Sequence, residues 1–219
     1  MNGNPFWVNE ERDSVGHRYY FAKAAVIASG YLHEIEWQSS LNIRELSETA
    51  FLKELAWVIL SSGMKEQVIR GIFPKISHSF FDWESAEMIN LEHDYCFINA
   101  YHLFRNKKKI SAIIESANVL IAFGFKELKE RLLMGDLTAL KVFPYIGPVT
   151  VFHLAKNLGL EVAKPDRHLS RISAALGYTN AQGLCEDISM ITGDKISVVD
   201  SVFWRFANME PNYINLLTL

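Results

Sequence analysis

Between Leu140 and Arg171 the chain reads LKVFPYIGPVTVFHLAKNLGLEVAKPDRHLSR, a turn suited to a phosphate followed by a lone carboxylate. Leu140 and Phe143 end an apolar helical stretch, Pro144 to Gly147 break it, and Pro148 is expected to open a helix reaching about Leu158. Gly147 stands where the chain is expected to bend sharply, with Tyr145 in the same turn. The N–H groups of Gly147, Val149 and Thr150 then lie at or near a helix N-terminus, which attracts anions through orphan donors and the helix dipole. A nucleic-acid phosphate fits such a site, because backbone donors hold it without reading a base. Taken alone, the segment reads equally well as an ordinary turn between two helices.

One helix and one loop later, Lys164, Pro165 and Asp166 precede the run His168-Leu169-x-x-Ile172-Ser173-x-x-Leu176. That spacing predicts a helix with Asp166 at or beside its start. As an N-cap, Asp166 is fully explained. As a reactive group, its carboxylate faces whatever the turn holds. Lys164, two positions away, shares a face with it only if the segment is extended.

Together these segments resemble the helix-hairpin-helix (HhH-GPD) DNA glycosylases of the endonuclease III superfamily. There the hairpin reads Leu-Pro-Gly-Val-Gly-x-Lys-Thr-Ala and the later loop Val-Asp-Thr-His-x-x-Arg; here residues 143–151 occupy the first pattern and residues 165–171 the second. Residues 51–73 (FLKELAWVILSSGMKEQVIRGIF) are similar to the family's first barrel helices, followed by a loop that inserts into DNA. Residues 106–117 (NKKKISAIIESA) are similar to its Asn-x-Lys helix, and residues 199–204 (VDSVFW) to a late helix carrying Asp and Trp. Two departures stand out. Tyr145 replaces the first hairpin glycine, which removes the basis for the monovalent-cation site of relatives. Val149 replaces the lysine nucleophile of bifunctional members, which argues against Schiff-base chemistry and strand cleavage.

The resemblance implies an all-α, two-lobed helical fold. One compact unit is expected, with lobe A over about 46–158, ending in the hairpin, and lobe B over about 1–45 plus 159–219. It implies a monofunctional DNA N-glycosylase of base excision repair, acting on double-stranded DNA that contains a damaged base. Asp166 is then catalytic, stabilising an oxocarbenium-like sugar and activating water. Tyr145, Gly147, Val149, Thr150, Lys156, Arg167 and Arg171 are expected on DNA. Ser61, Ser62, Gly63, Met64, Trp57 and Trp204 are expected at the wedge and pocket, with Gly63 or Met64 filling the gap left by a flipped nucleotide. Lys164 is the remaining candidate amine. An alkylated purine is the first expected substrate, because a stacking pocket poor in hydrogen-bonding groups suits electron-poor, labile bases. Oxidised guanine comes second, since Leu60-Ser61-Ser62 is similar to a loop of 8-oxoguanine glycosylases. A non-catalytic DNA-binding module is the reading from another class, in line with the altered hairpin.

Composition fits a globular cytosolic enzyme, read as a monomer: 219 residues, 49% of them apolar, net charge −3, with no membrane-span run and no signal-peptide pattern. Cys96 and Cys185 fall short of a four-cysteine iron–sulfur site and read as buried thiols, and the histidines show no zinc spacing, so neither metal nor cofactor is expected. The acidic balance runs against DNA binding. Lys156, Lys164, Arg167 and Arg171 nevertheless bracket the proposed site, while Lys107, Lys108 and Lys109 read as a solvated helix face.

Apolar residues recur at helical spacing over 22–35, 52–60, 68–76, 110–123, 137–142, 149–158, 169–176 and 196–206, and no sustained alternation argues for a sheet. The prediction is an all-α bundle with short connections. Trp57, Trp83, Tyr101, Phe104 and Trp204 lie on the segments expected to border the cleft, where each is either core or a base-stacking face.

Overall fold

The computed structural model describes residues 6–219, with side chains from Ser14 onward, and divides them into two compact units with boundaries at 41/42 and 158/159. Every regular element among the described residues is helical. The chain begins with α1 (Phe6–Ala28) and α2 (Leu32–Ser40) in the first unit. The second unit follows, with α3 (Glu48–Ser61), α4 (Glu66–Ser79), α5 (Ala86–Leu91), α6 (His93–Leu103), α7 (Lys107–Phe123), α8 (Phe125–Leu133) and α9 (Thr150–Asn157). The chain then completes the first unit with α10 (Arg167–Ala175), α11 (Ala181–Thr192), α12 (Ile196–Met209) and α13 (Tyr213–Thr218). No described helix is long and apolar enough to cross a membrane.

In the second unit α7 is the axis, packed against α3, α5, α6 and α8. Asn106 starts it by accepting from the Lys109 N–H at 3.2 Å, and Gly124 ends it at φ +87°. The core is built on fully buried Phe51, Ile59, Ile69, Phe80 and Trp83. Phe143, from the strand-like end of a 3-10 turn over Leu137–Val142, packs its ring 5.2 Å from Phe51 and anchors the hairpin to α3.

In the first unit α12 plays the same part, packed against α1, α2, α10 and α11. Val199, Val202 and Phe203 are fully buried against Tyr19 and Ala22 of α1 and Leu184, Cys185 and Ile188 of α11. Each such large side chain contributes about 1.5–3 kcal/mol by leaving water. Both cysteines are buried free thiols.

The structure corrects three sequence expectations. The apolar run over 22–35 is two helices, because the chain turns at Ser29, Gly30 (φ +87°) and Tyr31. The stretch over Leu137–Val142 is a 3-10 turn instead of an α-helix end. The helix after the hairpin starts at Thr150, with Pro148 in the turn before it, although the Val151 N–H already donates to the Gly147 carbonyl at 3.0 Å.

Candidate functional site

In the second unit the hairpin is closed by one hydroxyl. Thr150 Oγ1 accepts from the Gly147 N–H at 2.7 Å and donates to the Tyr145 carbonyl at 2.8 Å. One expectation changes with this. The Gly147 amide is engaged inside the turn and is not an open phosphate donor. The left-handed residue is Tyr145, at φ +65°, while Gly147 lies outside that region. Tyr145 and Val149 are each 40% exposed at the hairpin surface.

Lys109 ties this hairpin to the turn between α3 and α4. It is buried, and its ammonium donates to the carbonyls of Leu60 at 2.6 Å and Ser62 at 2.5 Å, two of the orphan acceptors at the end of α3. The same nitrogen sits 5.9 Å from the centre of the Tyr145 ring. Desolvation holds its pKa below the ordinary lysine value. The solvated-face reading therefore fails for Lys109. A helix rotates each residue by about 100°, so three adjacent lysines cannot share a face; Lys107 and Lys108 are exposed and Lys109 points inward.

Beyond that anchor, Gly63 at φ +68° and Met64 form an exposed tip, closed by the Met64 N–H to the Ser61 carbonyl at 2.9 Å. Ser61 and Ser62 are partly buried beside it. Trp57 is partly buried, edge-on to Phe73 at 5.1 Å and under the Arg70 guanidinium at 5.7 Å. Trp83 and Phe104 are buried core residues, the former stacked on Phe80 at 5.0 Å, while Tyr101 carries the Arg105 guanidinium at 5.0 Å. Lys156 is also buried, at 7% exposure, which removes it from a phosphate-contacting surface.

The carboxylate lies in the first unit. Asp166 is the N-cap of α10, its Oδ1 accepting from the N–H groups of His168 at 2.9 Å and Leu169 at 3.1 Å. The preceding segment is not extended. Its Asp166 N–H donates back to the Lys164 carbonyl at 2.8 Å, forming a tight turn centred on Pro165. That turn brings Lys164 Nζ to 3.7 Å from Asp166 Oδ2, with the two side chains 19% and 14% exposed. Sequence alone did not settle whether these side chains meet. The turn is what joins them.

Two further side chains grip the same loop. The Ala163 N–H donates to Gln182 of α11 at 2.7 Å, and the Lys164 N–H donates to Asp200 of α12 at 2.7 Å. Asp200 is only 1% exposed; the sequence marked it as part of the late Asp-and-Trp helix but gave it no role at the site. Downstream, Arg167 and Arg171 stand exposed one helical turn apart on α10. His168 accepts from Arg167 Nε at 3.2 Å and has its other ring nitrogen 3.2 Å from the Tyr213 hydroxyl. Burial holds the His168 ring below the ordinary imidazole range, Asp166 opposes that shift, and the cations of Arg167, Arg171 and Lys164 add to it. Trp204, one turn after Asp200, is partly buried against the core of this unit with the Arg205 guanidinium 4.9 Å from its ring.

No family model matches the chain. Curated relatives include the acetate kinases of Proteus mirabilis (strain HI4320), 31% identical over 144 residues, and Histophilus somni (strain 2336), 27% identical over 141 residues. Each match takes in 64% of this chain, and the chain spans only about a third of the kinases' length (34% and 33%). Among solved structures, Methanocaldococcus jannaschii 8-oxoguanine glycosylase/lyase, in complex with a 15mer DNA containing 8-oxoguanine, superposes with a TM-score of 0.53 over 87% of this chain and 98% of that one, at 17% identity. The fold is thus the all-α helix-hairpin-helix glycosylase fold expected from the hairpin and the later aspartate loop.

Proposed function

We propose that the protein is a monofunctional DNA N-glycosylase of base excision repair, working as a cytoplasmic monomer on double-stranded DNA and removing an alkylated purine. The observation that carries this reading is the Lys164-Pro165-Asp166 turn, a rigidly held carboxylate at a helix start in a chain of glycosylase fold. Oδ1 is committed to the helix, so Oδ2 is the reactive oxygen. As the N-glycosidic bond breaks, its electron pair leaves with the base and the sugar gains oxocarbenium character, which the Asp166 charge stabilises. A water whose proton passes to Oδ2 attacks the anomeric carbon and leaves an abasic site, a general-base step worth about 10²–10⁴-fold.

The nucleotide reaches that carboxylate by flipping, at a cost of a few kcal/mol that falls for damaged bases. Met64 at the α3–α4 tip fills the vacated space, and the amides of Val149 and Thr150 at the start of α9 hold a phosphate. Arg167 and Arg171 supply the local positive charge that a chain of net charge −3 needs on DNA. Val149, at the position where bifunctional members carry lysine, leaves no hairpin amine for strand cleavage.

Excision of 8-oxoguanine is the second reading, favoured by the damaged base bound to the solved neighbour. The acetate kinase similarity reaches only a third of those proteins, whereas the fold likeness takes in nearly all of the glycosylase, so the reading follows the fold. The deciding experiment is single-turnover incubation with randomly methylated duplex and with an 8-oxoguanine duplex, free base being measured by chromatography. Free methylpurine supports the first reading and free 8-oxoguanine the second. Duplex binding without release of either, or of deaminated bases, supports a non-catalytic DNA-binding module.

A further inference from the structure

We propose that Asp200 is a positioning residue, which fixes the Asp166 carboxylate through the backbone of Lys164. The inference rests on the glycosylase reading for its consequence, but not for its geometry.

Three hydrogen bonds run in series. Asp200 Oδ2 takes the Lys164 N–H at 2.7 Å, the Lys164 carbonyl takes the Asp166 N–H at 2.8 Å, and Asp166 Oδ1 caps α10 through His168 and Leu169. Both polar groups of the Lys164 backbone are thereby used, one toward α12 and one toward the carboxylate. Pro165 between them contributes no N–H and a fixed φ, so the turn has little freedom left once Lys164 is held. Gln182 grips the neighbouring Ala163 N–H at 2.7 Å, but that bond lies one residue farther from Asp166.

The choice of group is the informative part. A buried carboxylate is expensive unless it is well bonded. A neutral amide or hydroxyl would satisfy the Lys164 N–H at lower cost. A charge-assisted bond is shorter and roughly twice as strong as a neutral one. Asp200 sits in the middle of α12, a helix packed on four others of its unit, so the anchor is set in the core. What it holds is the reach and direction of Lys164 Nζ and Asp166 Oδ2, 3.7 Å apart. Catalytic geometry is sensitive at this level: a displacement of about 1 Å costs on the order of 10²-fold in rate.

The test combines exchange and kinetics on the full chain. In wild type, the Lys164 amide is expected to be protected from hydrogen exchange. Asp200→Ala is expected to lose that protection and, on lesion-containing duplex, to lower the single-turnover rate by tenfold to about 10²-fold, with duplex affinity unchanged. Asp200→Asn, which keeps an oxygen acceptor, is expected to recover most of both. Gln182→Ala is expected to lose rate by a smaller factor. The proposal is overturned by a Lys164 amide that exchanges freely in wild type, by an Asp200→Ala rate equal to wild type, or by equal loss of rate and affinity that Asp200→Asn does not recover. If Asp200→Ala does not fold, wild-type protection with Asp200→Asn near the wild-type rate supports the proposal, and a slow, unprotected Asp200→Asn contradicts it. Wild type that releases no base overturns the glycosylase reading, while the exchange measurement still decides whether Asp200 holds the turn.

Discussion

Asp166 caps α10 with one oxygen and is proposed to act on the sugar with the other, and substitutions separate the two roles. Asparagine caps a helix about as well as aspartate, whereas alanine loses about 1 kcal/mol. Asp166→Asn is therefore expected to unfold at the same denaturant concentration as wild type, and Asp166→Ala about 1 kcal/mol earlier, in urea titrations. The role of Asp166 as a helix start was legible because capping is local in sequence. Two other residues were not legible in this way. The sequence KKK gives no sign that Lys109 alone turns inward, because that depends on the rotational phase of α7 against α3. Lys109→Met is expected to lose about 2–3 kcal/mol in the same titration, since it strands two carbonyls that a charged donor now satisfies. A loss below about 0.5 kcal/mol would show that the ammonium is not the anchor. Tyr145 was the second such residue: the sharp bend was expected at Gly147, and nothing in the sequence marked the tyrosine two positions earlier as the residue at φ +65°. That conformation costs roughly 1–2 kcal/mol for a residue with a Cβ, offset by the Thr150 hydroxyl on its carbonyl and Lys109 over its ring.

Helices with a single buried stripe and clear caps were readable, and those with apolar residues on both faces were blurred. α3, α7 and α12 follow their apolar runs closely. α6 buries only Cys96 and Ala100 while exposing Tyr95 and Ile98, so its spacing carries no clean period. α11 was missed although Asn180 caps it and Gly193 ends it at φ +77°, signals that outlast a weak stripe. The packing of α3 on α9 adds a pH dependence. Glu54 of α3 is partly buried and accepts from Asn157 of α9 at 2.9 Å; desolvation pushes its pKa to about 7, against an opposing effect of that hydrogen bond. A folded value above the unfolded one means the folded state holds the proton more tightly. The stabilisation is present in full below about pH 4.5 and is lost as pH rises through about 7. Glu54→Gln is expected to match wild type near pH 4.5 and to exceed it by about 2–3 kcal/mol at pH 8. Parallel unfolding curves at the two pH values would remove Glu54 as the source.

For the molecule as a whole, the all-helical class and the order of hairpin then aspartate loop were legible, because both are written in local punctuation and spacing. Net charge was misleading in isolation. A total of −3 hides Lys164 beside Asp166, and Lys164, Arg167 and Arg171 acting together on His168. The absence of lysine at position 149 has a consequence for the product. Processed DNA is expected to stay unbroken until heated in alkali, with no covalent complex after borohydride treatment. Breaks without alkali that survive in Val149 variants but vanish in Lys164→Ala would instead assign the amine to Lys164.

The decisive measurement is the single-turnover rate of base release from methylated duplex DNA by wild type and by Asp166→Asn, with duplex affinity measured alongside. Release by wild type only, at equal affinity, is the expected result; equal release by both proteins would contradict catalysis by Asp166.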